Sequence, residues 1–186
     1  MQGIDGHLPA IYENGAGLYI PVGYQFTPHP DTRFIADRFH EVQERLQVGL
    51  VSSGKAYFQP GKVYSLSLFA RHPIETDQLR ELAAQALGPL AEWVDLVYST
   101  SCLNVLPRGI DKGKGLAYLA ETIGLPLENM LGVGDSDVDL PFLARVGISA
   151  APANAIPAIR GSVDYLSPRP NGDGVRDILQ HFGLLP

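Results

Sequence analysis

Three carboxylates stand at alternate positions in one short segment, Gly132–Leu143, which reads GVGDSDVDLPFL. Asp135, Asp137 and Asp139 directly follow an apolar run, Met130–Val133, that we predict to be a buried strand. Ligands of open α/β sheets bind at the carboxyl ends of the strands. Carboxylates at that edge commonly hold Mg²⁺, a hard ion that takes oxygen ligands and accepts phosphate as a co-ligand. The segment therefore indicates a magnesium and phosphate site.

Two other interpretations of this acidic turn are open. A calcium loop begins with the same D-x-D-x-D spacing, but it needs glycine at its sixth position and glutamate at its twelfth. Leu140 and Val146 occupy those positions, which makes calcium a poor fit. Helix capping, with Asp137 at the N-cap and its neighbours facing the helix dipole, explains one carboxylate well and three poorly.

Around the turn, helix-like and strand-like segments alternate. The spacing of Leu116, Leu119, Ala120 and Ile123 predicts a helix over 112–123, and the Gly124 that follows is a usual terminator. We further predict strands at 130–133, 147–151 and 163–166, with helices through 142–144, at 156–159 and at 175–182. This alternation is typical of right-handed βαβ units and a parallel sheet.

The middle of the chain has another pattern. Periodicities predict helices over 31–47 and 75–87 and strands over 63–69 and 94–98, which together suggest an α+β lobe. We therefore predict an α/β fold in which residues 1–22 and 108–186 form a parallel-sheet core, and an α+β cap at 23–107 is inserted into it.

Composition excludes several classes of protein. The 186 residues carry a formal net charge of -6 without a basic run, so we expect no nucleic-acid partner. The single cysteine, Cys102, cannot form an internal disulfide, which fits a reducing cytoplasm. There is no apolar stretch of 18 or more residues and no charged leader before an apolar segment, so we expect no membrane association and a cytoplasmic location.

The residues also carry a resemblance. The run KGKGLAYL from Lys112, followed by IGLPLENMLGVGDSDVDLPFL, resembles the third and fourth motifs of haloacid dehalogenase-like phosphatases, above all the Cof-type and sucrose-phosphatase-like groups. Glu13–Ala16 resembles the hairpin that precedes the cap in those families. Downstream pairs stand at the families' spacing as well: Val146-Gly147, Asn154-Ala155, Asp164-Tyr165 and the run Gly172–Val175.

The resemblance implies Mg²⁺-dependent phosphoryl transfer through an aspartyl-phosphate. Lys112 would be catalytic and would bind the transferring phosphoryl group, which suits a compact point charge with three donors. Asp135 would be a magnesium ligand, and Asp139 would be catalytic, orienting the lysine or a metal-bound water and joining the metal site. Asn154 would brace the neighbouring loop near the phosphate, although a plain helix cap is an equal alternative. Ser136 and Asp137 would be turn and cap residues.

One expected part is missing. The family's nucleophile lies in a D-x-D-x-T motif after the first strand, and Gly3–Leu8 only echoes it, with glycine in place of the nucleophile. The second motif, whose Ser or Thr contacts the phosphate, is not found either. The sequence is then a fragment with a missing start, one part of a split protein, or a degenerate inactive member, and we favour the first. Val138 also stands where the family usually has Asn.

The resulting hypothesis is a magnesium-dependent phosphomonoester hydrolase acting on a small phosphorylated metabolite. The segment Tyr98–Pro107 resembles sugar-phosphate phosphatases, which suggests a sugar phosphate. The alternative is a non-catalytic remnant that binds metal or a partner. A dinucleotide site is a poor fit, because Gly132-x-Gly134 lacks the third glycine of that fingerprint. Exposed sheet edges make self-association, or a complementing N-terminal segment, a further expectation.

Overall fold

The computed structural model describes residues 8–33, 35–99 and 101–186. The chain divides into two compact units, with the boundary between Asp111 and Lys112. The predicted fold class is confirmed, since the chain combines a parallel sheet in one unit with antiparallel sheets and helices in the other. The assignment of residues 1–22 to a common core with 108–186 stays a prediction.

The described residues of the first unit form two antiparallel sheets. Strands β1 (Ala10–Tyr12), β2 (Gly17–Ile20) and β3 (Gln25–Pro28) form a meander in that order. The hairpin expected at Glu13–Ala16 is present as a single 3₁₀ turn, Glu13–Gly15, between β1 and β2. These short strands lack the run length that sequence periodicity needs.

The second sheet of this unit has four strands, and two helices pack against it. Its order is β4-β5-β7-β6, with β4 at Ala56–Phe58, β5 at Leu66–Ala70, β6 at Val94–Ser99 and β7 at Cys102–Pro107. Helices α1 (Ala36–Leu46, continued by a π-helical turn at Gln47–Val51) and α2 (Thr76–Leu87) supply the apolar faces. The core joins both helices to one face of the sheet through buried side chains such as Val42, Leu46, Leu68, Leu79, Leu103 and Val105.

The predicted strand over 63–69 begins later than expected. Val63 and Tyr64 do not pair with a strand, because their amides donate to the Glu13 carboxylate at 2.8 and 2.7 Å. The predicted helix over 31–47 is also shorter, since a 3₁₀ turn, Pro30–Thr32, precedes α1.

The second unit is a three-stranded parallel sheet with four helices. Strands β8 (Leu131–Val133), β9 (Ile148–Ala151) and β10 (Tyr165–Leu166) lie in the order β10-β9-β8. The helices are α3 (Lys112–Ile123), α4 (Leu140–Leu143), α5 (Pro157–Arg160) and α6 (Asn171–His181). Leu143, Ala151, Ala155 and Ile159 form the buried centre of this unit. Each strand ends toward one edge, which carries the acidic turn.

No helix in the described ranges has both the length and the apolar character needed to cross a membrane.

Candidate functional site

The acidic turn begins where β8 ends, and its first residue must be small. The amide of Gly134 donates to the carbonyl of Ala150 on β9 at 3.2 Å, which ties the turn to the sheet. A Cβ on Gly134 would lie 2.5 Å from the Cβ of Asp139, closer than packed atoms can approach. Glycine at this position therefore lets the turn fold tightly enough to bring Asp139 against the strand end.

Asp139 is the centre of the turn. Its Oδ2 accepts hydrogen bonds from the Asp135 amide, the Ser136 amide and the Ser136 hydroxyl at 3.0, 3.0 and 2.9 Å. Ser136 is the N-cap of the 3₁₀ helix Asp137–Asp139 and forms a capping box with Asp139. The N-cap is therefore Ser136 and not Asp137, because the hydroxyl is placed where it can bond to the third residue of the turn.

Lys112, the first residue of α3, reaches the other oxygen of Asp139. Its Nζ donates to Oδ1 at 2.6 Å, and the two side chains are 34% and 8% exposed. α3 can approach α4 closely because the second residue of α3 is glycine. A Cβ on Gly113 would lie 2.4 Å from the carbonyl oxygen of Pro141 in α4. The third and fourth motifs of the sequence thus meet through this pair of side chains.

The Asp139 carboxylate is held in its ionised form. Burial acts to raise its pKa, but the hydrogen bond from Lys112, the amide of Asp135, the charge of Lys112 and the amide of Ser136 together lower the pKa below its usual value. The pair is therefore an ammonium facing a carboxylate, and about a third of the Lys112 side chain is exposed (34%).

Asp135 lies in a different environment. Its side chain is exposed, while its carbonyl accepts from the amide of Ile156 at 3.0 Å. Asn154 Nδ2 donates to Asp135 Oδ2 at 3.4 Å, and Asn154 Oδ1 accepts from the amide of Asn171, the first residue of α6, at 2.6 Å. Asn154 thus links the acidic turn to the start of α6. It does not cap α5, whose N-cap is Ile156.

These contacts decide which carboxylate could hold a metal. The described residues contain no group of three or more His, Cys, Asp or Glu side chains placed to hold a metal ion. Asp139 already accepts four hydrogen bonds, so its geometry favours orienting Lys112 over binding a metal directly. Asp135 retains oxygen atoms open to solvent, and Mg²⁺ commonly binds one or two carboxylates and takes its remaining ligands from water and phosphate. Asp135 fits a magnesium ion. The metal role expected for Asp139, and phosphate binding by Lys112 and Asn154, stay predictions.

Two further carboxylates accept hydrogen bonds that link the strands of this unit to neighbouring segments. Asp164 Oδ2 accepts from the amide and the hydroxyl of Ser149 at 2.8 Å each, and these bonds, the amide first, lower the pKa of Asp164. Asp177 on α6 accepts from Ser167 and Tyr165 at 2.8 and 2.9 Å. The resemblance had singled out Asp164-Tyr165, while Ser149 and Asp177 carried no sequence signal because their partners are distant in the chain.

Comparison with known proteins adds a family. A family model described as haloacid dehalogenase-like hydrolase matches residues 37–179. Among curated relatives, the phosphoglycolate phosphatase of Methanothrix thermoacetophila is 34% identical over 102 residues, covering 55% of this chain and 46% of that protein. The phosphoglycolate phosphatase of Methanopyrus kandleri is 28% identical over 182 residues, covering 97% of this chain and 73% of that protein. The matches thus span from about half to three quarters of these relatives.

Solved structures are similar in fold. The sucrose-phosphatase of Synechocystis sp. PCC6803, solved with sucrose and phosphate, has a TM-score of 0.61 at 19% identity and covers 93% of this chain and 73% of that chain. A haloacid dehalogenase-like hydrolase from Bacteroides thetaiotaomicron has a TM-score of 0.65 at 16% identity, covering 91% and 74%.

Proposed function

The chain belongs to the haloacid dehalogenase-like hydrolase family, and from this premise we propose that it hydrolyses small phosphate monoesters with Mg²⁺ as its cofactor. The observation that carries the proposal is the pair of Lys112 and Asp139, joined at 2.6 Å, with the exposed Asp135 in the same turn as Asp139. An ammonium and a metal-binding carboxylate at the carboxyl end of a parallel strand are suited to phosphate. The relatives named phosphoglycolate phosphatase and the sucrose-phosphatase fold support the same reaction class.

Each residue has a role in this proposal. Lys112 binds a phosphoryl oxygen and offsets negative charge during transfer. Asp139 holds the ammonium in place through the hydrogen bond that its Oδ1 accepts from Lys112 Nζ. Asp135 would hold Mg²⁺, and the chemistry that this ion supplies when bound is neutralisation of charge on the phosphoryl oxygens. Asn154 positions Asp135 against the start of α6.

The reaction also needs a nucleophile, which the residues of the acidic turn do not supply. The D-x-D-x-T motif is not in the sequence, and the described residues pair β8 with β9 on one side only. We propose that an aspartate nucleophile is supplied by an additional parallel strand beside β8, whose carboxyl end would then lie near Lys112. A strand edge carries unpaired N–H and C=O groups, so it can accept such a strand. Pairing of β8 with a second copy of this chain is the competing use of the same edge.

We propose a small phosphorylated metabolite as substrate. Phosphoglycolate is suggested by the names of the curated relatives. A sugar phosphate is suggested by the sucrose-phosphatase and by the resemblance of Tyr98–Pro107 to sugar-phosphate phosphatases. Comparing the rates of phosphate release from phosphoglycolate and from a sugar phosphate distinguishes these two substrates.

The test is phosphate release from p-nitrophenyl phosphate, phosphoglycolate and glucose 6-phosphate, with and without Mg²⁺. The assay compares the 186-residue chain with a chain extended by the coding sequence upstream of Met1. We expect the extended chain to be active, and Lys112→Met to lower kcat by about 10²–10³, the usual effect of removing a donor to developing charge. Asp137→Asn is the matched control, since this carboxylate lies in the same turn and is exposed.

Two results would count against the proposal. Hydrolysis that survives Lys112→Met or removal of Mg²⁺ would place the chemistry elsewhere. Inactivity of both chains on all three substrates would favour a non-catalytic module.

A further inference from the structure

The first unit contains a cavity that the proposed phosphatase chemistry does not use. The cavity has a volume of ≈ 530 Å³ and an aromatic lining. Tyr12, Phe26, Gln59, Lys62, Val63 and Tyr64 are among its lining residues. We propose that this aromatic cavity binds a small organic anion, a carboxylate or phosphate attached to a ring, with Lys62 contacting the anionic group and the aromatic side chains contacting the ring.

The aromatic side chains converge from separate parts of the unit. The ring of Tyr12 lies 5.6 Å from that of Phe26 in an edge-on arrangement and 6.0 Å from that of Tyr64. Phe26 is 65% exposed and Val63 is 68% exposed, although both border the cavity. Apolar surface of this kind, concave and left open, is the usual lining of a small-molecule site. A flat or ring-shaped body fits it, because aromatic rings prefer edge-on or offset contacts with another ring.

The charge in the cavity favours an anion. Lys62 is half-buried, and no ion pair or hydrogen bond joins its side chain to another described residue. Glu13 also borders the cavity, but its carboxylate accepts four hydrogen bonds, from the amides of Val63, Tyr64 and Ser65 and from the Ser65 hydroxyl. The carboxylate is therefore already compensated by donors, whereas the ammonium is not. A ligand carboxylate or phosphate would supply the partner that Lys62 lacks.

The same hydrogen bonds hold the wall of the cavity in place. Glu13 contacts the three consecutive amides at 2.7–2.8 Å and fixes the end of the loop that carries Lys62. Glu13 and Asn14 have left-handed φ values of 49° and 57°, which non-glycine residues rarely adopt. Such conformations persist where the surroundings enforce them, and they are found at ligand clamps. The cavity is thus preorganised, which lowers the entropic cost of binding.

The experiment is NMR titration of the ¹⁵N-labelled 186-residue chain with four probes. Phenylphosphonate and benzoate carry both a ring and an anion, benzyl alcohol carries only the ring, and inorganic phosphate carries only the anion. We expect saturable shifts of the amides of Tyr12, Phe26, Lys62 and Tyr64 with phenylphosphonate or benzoate, and at least tenfold weaker binding of the other two probes. The preference between phenylphosphonate and benzoate identifies the anionic group.

Variants connect binding to the two proposed contacts. Lys62→Met should raise the Kd by about tenfold, or 1.4 kcal/mol, Lys62→Arg should restore binding, and Phe26→Ala should raise the Kd by about fivefold. Lys55→Met and Val22→Ala are matched controls, because neither residue borders the cavity and Val22 is 81% exposed. Both exchanged cavity side chains are partly exposed, so we expect the variants to fold, and a thermal melt of each checks this.

Three outcomes would overturn the inference. The first is that shifts appear only around the acidic turn, at 131–143. The second is that benzyl alcohol or inorganic phosphate binds as tightly as the ring-bearing anions. The third is that Lys62→Met leaves the Kd unchanged. None of these depends on hydrolysis, so the inference and the proposed phosphatase activity fail or stand separately.

Discussion

Replacing Asp139 by asparagine tests how the acidic turn is held together. The carboxylate accepts from Lys112 Nζ, from the amides of Asp135 and Ser136, and from the Ser136 hydroxyl. A carboxamide of the same shape has one accepting atom. If its oxygen faces the two amides, its NH₂ group faces the Lys112 ammonium, and two donors oppose each other.

The magnitude follows from burial. Breaking a fully buried ion pair costs about 3–5 kcal/mol, whereas exposed pairs contribute about 0.2–1 kcal/mol. Asp139 is 8% exposed and Lys112 34% exposed, so water screens part of the loss. We expect Asp139→Asn to lower the free energy of opening the turn by about 2–3 kcal/mol. Asp137→Asn, in the same turn but exposed, should change it by less than about 0.5 kcal/mol.

The assay must report on the second unit. The chain's single tryptophan, Trp93, lies in the first unit, so its fluorescence would report unfolding of that unit and not of the second. Hydrogen exchange of the amides of 134–139, measured by mass spectrometry and corrected for intrinsic rates, reports the turn itself. A loss of 2–3 kcal/mol corresponds to exchange that is about 30- to 150-fold faster.

The pH dependence gives a second, independent check. The pKa of Asp139 is lowered in the folded chain, so the folded state binds its proton less readily than the unfolded state, whose carboxyl has a pKa of about 3.9. The stabilisation is complete well above that value and is lost as the pH falls through the lowered pKa. The difference between wild type and Asp139→Asn, measured by hydrogen exchange of the same amides and corrected for intrinsic rates at each pH, should therefore shrink below about pH 4. Equal effects of Asp137→Asn, or a difference that persists in acid, would refute the assigned role.

Two further predictions concern the backbone around the proposed sites. Gly134→Ala should destabilise the second unit by about 1–3 kcal/mol in urea unfolding, because the new methyl would overlap Asp139; Gly161→Ala, whose nearest contact would be 3.7 Å away, is the control and should be nearly neutral. Glu13→Gln should cost about 1–2 kcal/mol, since a carboxamide cannot accept from all of the donors in 63–65. Faster hydrogen exchange confined to those amides would support this, and the exposed Glu41→Gln should leave them unchanged.

The sequence predicts the second unit well because its signals are local. The helix expected over 112–123 is observed with the same bounds, since its apolar spacing and Gly124 both act within a few residues. The parallel order of strands follows from alternation with helices and the handedness of βαβ units. The first unit is predicted less well. Its β1–β3 meander consists of strands of three or four residues, too short for a period-two pattern to be distinguished from a loop.

In the candidate site, too, local features could be predicted and distant contacts could not. The spacing of the carboxylates after β8 predicts both their clustering and the turn that carries them. The partner of Asp139 is 27 residues away, and only the resemblance to a known family pointed to Lys112. The roles of Gly113 and Gly134 could not be predicted, because a glycine that is needed for close packing looks the same in sequence as one in a loose turn.

The structure also explains how one short turn can carry three negative charges. Asp139 is buried and compensated by Lys112 and three further donors. Asp137 is exposed in the first turn of a 3₁₀ helix, where water screens its charge. Asp135 is also exposed, and Asn154 contacts one of its oxygens. The three side chains therefore do not compete for one cation, and Asp135 is the carboxylate of this turn whose charge a metal ion could still balance. For this reason Asp135→Asn should raise the Mg²⁺ concentration needed for phosphate release without speeding hydrogen exchange of the turn. Asp139→Asn, in contrast, should speed that exchange.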